Sequence, residues 1–389
     1  MKAVHFGAGS IGRGFIADLL HDSGYDIVLV DVNQQLNQQI NQKQLYHLYV
    51  IEENYQEKTI NRVRALSPVT EAPAVIQEIL TADILTTAVW ADNLDKVAPT
   101  ISEGLHRRFL QAKEKINVLA CENAMFNSEI LKKEILKLGQ LTEEQLEQAA
   151  AFPNTAVDRM VLEDQRAGEK VINIGVDFEL VIERNKLADP ATEPIEGAEY
   201  TDDLQKYIER KLYIINCGHA WAGYLGAVQG YEIMSDIFAN EPLVQTTKEA
   251  MGEAAALLAQ KYGFSEAELK AYIDFAIRRF QTPGVVDTVA RVCRSPIRKL
   301  EPNERLVGPA VQCEEQGLKN QRLLEGIAAV FLFQQPEDEQ AVKLQEYVQQ
   351  HGIEESIEHF TSLKQGSPMH EQICGYYQRL KEQANDERV

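Results

Sequence analysis

The chain has 389 residues, 44% hydrophobic and 25% charged, with a formal net charge of −20. It is long enough for two domains with sizeable cores, and too acidic to be drawn to nucleic acid or an anionic membrane surface. No apolar run approaches the ~20 residues of a spanning helix, and glycines interrupt the start MKAVHFGAGS before a signal core could form, so a cytoplasmic location is expected.

Residues 3–6 read as a buried strand, followed by Gly7, Ala8, Gly9, Ser10, Ile11 and Gly12 and then a helical pattern through Phe15, Ile16, Leu19 and Leu20. Three glycines at this spacing permit a tight turn, close approach of a pyrophosphate to bare backbone, and close packing of helix on strand. The alternative is a glycine turn in a non-binding α/β domain. Context favours the dinucleotide: Ser23-Gly24 ends the helix, 26–30 reads as a second strand, and Asp31 follows at roughly the 20-residue spacing expected of a ribose-binding acid. Because Val32 and Asn33 bring no cation for a 2'-phosphate, the expected cofactor is NAD and not NADP.

Leu36 and Ile40 mark the apolar edge of a helix whose Asn and Gln residues form its solvated face. Residues 45–66 look extended, with a turn at Glu52-Glu53-Asn54, as in a hairpin. Residues 84–89 and 116–120 are short buried strands followed by polar loops, and the second loop places Asn123 where a ligand crevice is expected. Residues 178–182 read as the last strand and 188–199 as a linker. Helices follow, with Ser265 and Glu268 as a capping box and Pro283-Gly284 as a break. The predicted architecture is α/β: a Rossmann-type dinucleotide-binding domain over 1–195, then a mainly α-helical domain over 196–389, with the active site between them.

The helical segment 209–226 carries Lys211, Asn216 and His219 in otherwise apolar surroundings. On an α-helix, turning about 100° per residue, Asn216 sits roughly 140° and His219 roughly 80° from Lys211, so all three can face one cleft. An apolar setting is one in which a lysine gives up its proton near neutral pH and can serve as a base. Each residue has a blander role open to it: a snorkelling lysine, an asparagine bonding nearby backbone, a satisfied core histidine. Arg159 is either a substrate contact or half of a structural ion pair. The densest basic stretch of this acidic chain holds Arg291, Arg294, Arg298, Lys299 and Arg305, available either to an anionic substrate group or to internal salt bridges.

With these motifs placed, the chain resembles the polyol-specific long-chain dehydrogenases. The residues that carry the resemblance are FGAGSIGRGF near the start, ACENA around Asn123, FPNTAVDRMV at 152–161, KLYIINCGH at 211–219 and VCRSPIRKLEPNERLVGPA at 292–310. One position departs: where the family has glycine after the TTAV strand, Trp90 stands here. The compact length is similar to that of the phosphate-using members. The resemblance implies reversible oxidation of D-mannitol 1-phosphate to fructose 6-phosphate with NAD and without a metal, or else action on another hexitol, hexitol phosphate or hexuronate. It implies Lys211 as general base, Asn216 and Asn123 as amides holding the reacting oxygen, and His219 orienting a hydroxyl. An amide suits a developing oxyanion because it donates without ionising. Arg294, Arg298 and Lys299 are then candidates for the substrate phosphate.

Two competing readings remain. A zinc alcohol dehydrogenase would use Cys217, His219 and Cys121, but the five scattered cysteines fit reduced thiols and supply no four-cysteine cluster. A non-catalytic NAD sensor would keep the glycine turn and use the helical domain to bind a partner protein.

Overall fold

The computed structural model describes residues 1–166, 169–282, 284–285 and 287–386. The expected break at Pro283-Gly284 falls partly outside them, at Pro283. Contacts divide the chain into two compact units, Met1–Tyr207 and Ile208–Val389.

The first unit runs β1 (Lys2–Phe6), α1 (Ala17–Asp22), β2 (Asp26–Val30), α2 (Gln34–Lys43), β3 (Tyr46–Val50), β4 (Gln56–Ile60), β5 (Val63–Leu66), α3 (Ala72–Leu80), β6 (Ile84–Thr87), α4 (Leu94–Leu110), β7 (Ile116–Ala120), α5 (Asn127–Lys137), α6 (Glu143–Ala149), β8 (Ala150–Ala151), β9 (Thr155–Arg166), β10 (Glu169–Glu183) and β11 (Glu199–Thr201). A parallel sheet has the order β5-β2-β1-β6-β7-β8. The chain leaves β1 toward β2 on one side and returns to β6 on the other, which puts the topological switch point between β1 and β6. Side chains alternate across this sheet. Val4, Phe6, Val28, Val30 and Leu85 pack on one face with Val75 and Ile79 of α3, whereas Ala3, Ile27, Leu29 and Ile84 pack on the other with Phe15, Leu19 and Leu20.

A second sheet, β11-β10-β3-β4 with β9 paired to β10, closes over that other face through Leu48, Ile172 and Ile174. The hairpin expected over 45–66 is β3–β4. The later residues leave it: β5 is the edge strand of the parallel sheet, paired with β2. Residues 178–182 are the end of a longer strand, β10, and not the last strand, since β11 pairs beside it. The stretch 188–199 is no loose linker, because Ile195 is buried and its backbone N–H and C=O both bond the Tyr200 hydroxyl. On α2, Asn37 departs from the expected solvated face. It is buried, and its amide donates to the Asp31 carbonyl at 2.8 Å.

The second unit is helical. Its helices follow α7 (Leu204–Arg210) as α8 (Cys217–Val228), α9 (Met234–Ala239), α10 (Glu241–Tyr262), α11 (Glu266–Phe280), α12 (Val289–Cys293), α13 (Pro296–Lys299), α14 (Val307–Glu315), α15 (Gln321–Val330), α16 (Glu339–Thr361) and α17 (Pro368–Asp386). Sequence signals set the ends: Asn240 caps α10 with Pro242 in its first turn, and Gly263 ends it at φ +73°. Ser265 caps α11, but the capping box is not closed; the Glu268 carboxylate lies 3.6 Å from Arg210 instead. α8 is central. Its Trp221 is 1% exposed, bonds the Arg322 carbonyl at 2.6 Å, and lies so near Gly326 that a Cβ there would come within 2.2 Å of the ring. No helix among the described residues is long and apolar enough to cross a membrane.

Candidate active site

In the first unit the glycine turn lies at the carboxyl end of β1. Gly7 has φ +100°, and a Cβ there would be 2.4 Å from the Ala88 carbonyl oxygen; on Gly12 it would be 1.8 Å from the Gly7 carbonyl oxygen. Those two glycines are required by the turn itself. A Cβ on Gly9 would meet nothing within 4 Å, and Gly9 and Ile11 are exposed with Ser10 half-exposed. Open space over bare backbone is what an approaching pyrophosphate needs, so these residues fit a dinucleotide. The helix begins with a π-turn, Gly12–Ile16, whose closing Ala17 N–H bonds the Gly12 carbonyl. Beneath it His5 is fully buried, bonded through Nδ1 to Thr86 Oγ1 at 2.7 Å, and burial pushes its pKa down to about 4.

Asp31 follows β2, accepting from the Ala8 N–H at 2.7 Å and the Asn33 N–H at 2.8 Å. The carboxylate is thereby fixed beside the glycine turn, as ribose recognition requires. Asn123 is exposed in the loop after β7. Beside it Glu122, unremarked in the sequence, is 4% exposed and accepts from the Val89 N–H at 3.0 Å and the Thr87 hydroxyl at 2.8 Å. Burial raises its pKa against those donors. Glu122 ties the loops after β6 and β7 together.

Trp90 follows β6 with its side chain 80% exposed and its backbone at φ +71°, ψ 142°. Glycine enters that region freely, whereas another residue there costs on the order of 1–3 kcal/mol. A glycine would be the relaxed choice at this position.

Arg159 takes the structural role of the two open to it. Its Nη1 lies 2.6 Å from Asp18 Oδ2, with only 5% and 1% of the side chains exposed, and the guanidinium also donates to the Gly175 and Gly14 carbonyls. Lys58 reaches the other Asp18 oxygen at 2.7 Å.

In the second unit, Lys211–Asn216 is a π-turn, with the Cys217 N–H reaching back five residues to the Leu212 carbonyl. This corrects the α-helical angles. With i→i+5 bonding the turn is wider and each residue rotates less about the axis, so Asn216 comes closer to the Lys211 side than the roughly 140° of an α-helix. His219 then follows one ordinary turn later on α8. Across 209–226 every residue is buried except Lys211, Leu212, Asn216 and His219, which are half-exposed. Lys211, Asn216 and His219 form the polar stripe of an otherwise buried helix, and Leu212 packs against the core beside them.

His219 stacks on Phe280 at 4.5 Å with ring planes 10° apart, and its Nε2 is 3.8 Å from Asp287 Oδ2. Burial outweighs that carboxylate and pushes its pKa down to about 4, so the ring is neutral at physiological pH. Arg291 pairs with Asp287. No sequence signal links Asp287 to His219.

Along α12 and α13, Arg294 and Arg298 are exposed, and among the described residues neither side chain has an acidic partner. Lys299 differs: it is 3% exposed, donates to the Arg294 carbonyl, and burial pushes its pKa down to about 8. It is interior to the segment and not on its anion-accessible side. Arg305 pairs with Glu304 at 3.0 Å.

Cys217 and Cys121 are each buried in the apolar core of their own unit, and burial raises both thiols, Cys217 to about 12. Among the described residues no three His, Cys, Asp or Glu side chains converge as a metal set.

Residues 1–194 match the family model of the mannitol dehydrogenase Rossmann domain, and 203–381 that of the mannitol dehydrogenase C-terminal domain. The chain is 39% identical over 383 residues to a mannitol-1-phosphate 5-dehydrogenase of Geobacillus stearothermophilus, covering 98% of this chain and 100% of that one. A protein of the same name from Brevibacillus brevis is 39% identical over 385 residues, covering 98% and 99%. Among solved structures, a D-sorbitol dehydrogenase superposes with TM-score 0.84 at 17% identity, covering 100% and 94% of the chains. Mannitol 2-dehydrogenase of Pseudomonas fluorescens, solved with NAD and D-mannitol, superposes with TM-score 0.70 at 18% identity, covering 99% and 92%. On the strength of the two family models and the full-length relatives, the chain belongs to the mannitol dehydrogenase family and is an NAD-dependent polyol dehydrogenase.

Proposed function

We propose that the chain interconverts D-mannitol 1-phosphate and D-fructose 6-phosphate, with Lys211 as general base and without a metal. The observation that carries this is the half-exposed stripe of Lys211, Asn216 and His219 along a buried helix. Polar side chains are held there by packing on every other side, the rigid support that a reacting group needs. The substrate follows from the relatives that share most of this chain at 39% identity and carry that activity in their names.

Lys211 Nζ takes the proton of the reacting hydroxyl; NAD, held by the glycine turn and Asp31, would supply the hydride acceptor for the carbon that bears it. Asn216 donates its amide to the oxygen as charge develops, a contribution on the order of 3 kcal/mol for one preorganised donor. Asn123, at the carboxyl end of β7, is the proposed second amide. His219, neutral and clamped on Phe280, bonds a hydroxyl without adding charge. Arg294 and Arg298 are the proposed phosphate contacts, since both are exposed and, among the described residues, have no acidic partner. The metal-free reading draws support from the two thiols, each packed among apolar side chains in the core of its own unit.

The test follows NADH absorbance with fructose 6-phosphate as substrate. Lys211→Ala should lower kcat by roughly 10²–10⁴-fold with NADH binding unchanged. Wild-type turnover should survive exhaustive chelation. Full activity in the Lys211 variant would remove the proposed base, and absence of turnover across sugar phosphates would favour an NAD sensor.

A further inference from the structure

We propose that Trp90 is a cofactor-positioning residue, its indole covering the nicotinamide half of the bound dinucleotide. This rests on the glycine turn being the nucleotide site. Trp90 follows β6, one side of the switch point, and its neighbours touch the turn directly: the space a Cβ on Gly7 would need is taken by the Ala88 carbonyl and by Val89 Cγ1. Along the carboxyl edge of the sheet, Asp31 follows β2, the glycine turn follows β1, Trp90 follows β6 and Asn123 follows β7. If Asp31 holds the adenosine ribose and the turn holds the pyrophosphate, the next strand over meets the nicotinamide half.

The indole is not there by default. Its backbone occupies a conformation that glycine would adopt without strain, and the flanking bonds hold it. The Val89 N–H goes to Glu122 at 3.0 Å, the Val89 carbonyl accepts from the Asn93 amide at 2.7 Å, and the Asn93 N–H goes back to the Trp90 carbonyl at 2.9 Å. A strained backbone fixed from both sides, presenting a large aromatic ring that is 80% exposed beside a ligand crevice, is the pattern of a residue kept for contact.

The chain has two tryptophans, and the other, Trp221, is 1% exposed, so collisional quenching by acrylamide reports on Trp90. Saturating NAD should shield Trp90 and lower the quenching slope, whereas ADP-ribose, which lacks nicotinamide, should bind and leave the slope nearly unchanged. By calorimetry, Trp90→Gly should weaken NAD binding roughly five- to twenty-fold, the range of one aromatic stack, and leave ADP-ribose affinity unaltered. Trp90→Phe should recover most of the loss. Relief of strain means the glycine variant should melt at or above the wild-type temperature, so lost folding cannot mimic the effect. Equal shielding by ADP-ribose and NAD, or wild-type NAD affinity in Trp90→Gly, overturns the proposal. If neither ligand binds the wild-type protein, the nucleotide site itself fails, a separate outcome.

Discussion

Gly9 and Gly12 lie three residues apart in one turn, yet alanine should damage the protein in opposite ways at the two positions. On Gly9 the new methyl meets nothing within 4 Å, so folding should change by no more than about 0.5 kcal/mol. The same methyl would fill the open space proposed for the pyrophosphate. Losing one charge-assisted backbone bond to phosphate is worth roughly 1.5–3 kcal/mol, or about 10- to 150-fold in Kd for NADH. On Gly12 the methyl would be 1.8 Å from a carbonyl oxygen, and the backbone has to move. The cost should reach ~3 kcal/mol, which for a unit of this size lowers the melting temperature by roughly 6–12 °C. Thermal unfolding and calorimetric titration with NADH, run on both variants, read the two effects separately. A Gly9→Ala protein that binds NADH like the wild type, or one that unfolds as early as Gly12→Ala, would refute the assignment of open backbone to the phosphate.

Arg159→Ala strands the buried Asp18 carboxylate beside Lys58 alone and should cost ~3–5 kcal/mol of stability in denaturant unfolding, without raising KM for the sugar phosphate; the reverse pattern would reinstate Arg159 as a substrate contact. His5, held neutral with its pKa lowered from 6.5 to about 4, contributes stability that is complete above pH ~6.5 and lost as pH falls toward 4, about 3 kcal/mol in all, with His219 adding in the same direction. His5→Gln should therefore flatten urea-unfolding stability between pH 7 and 4.5, and an unchanged slope would count against a buried neutral imidazole. Arg294→Glu combined with Arg298→Glu should raise KM for fructose 6-phosphate at least about 10-fold while KM for NADH stays nearly constant; parallel changes in both would discard the phosphate role.

The nucleotide half of the molecule was legible because its signals are local. Gly7 to Gly12 and Asp31 fall within one β-α-β stretch, and each residue type is dictated by backbone contact or charge at its own position. Beyond its β3–β4 hairpin the second sheet was not legible, since its other pairings join Leu48 to Ile172 and Tyr49 to Asn173 across more than a hundred residues, beyond any periodicity. Long sequence separation likewise hides Asp287 from His219 and Asp18 from Arg159. Lys211, Asn216 and His219 were picked out for their chemistry, but the α-helical angles misplaced Asn216: a π-turn leaves no composition signal, only the burial pattern that appears once the segment is packed.

That wide turn changes how the helix tolerates substitution. The spacing of Lys211 and Asn216 depends on how many residues the loop of backbone contains, and less on which ones, since three of the four between them, Tyr213, Ile214 and Ile215, are buried. Swapping one apolar side chain there for another alters packing but leaves the alignment alone. Removing a single residue would let the coil tighten and rotate everything beyond it, unseating the glycine-lined face of α8 from Met251, Cys293 and Ile237. In this segment, insertions and deletions are the dangerous lesions.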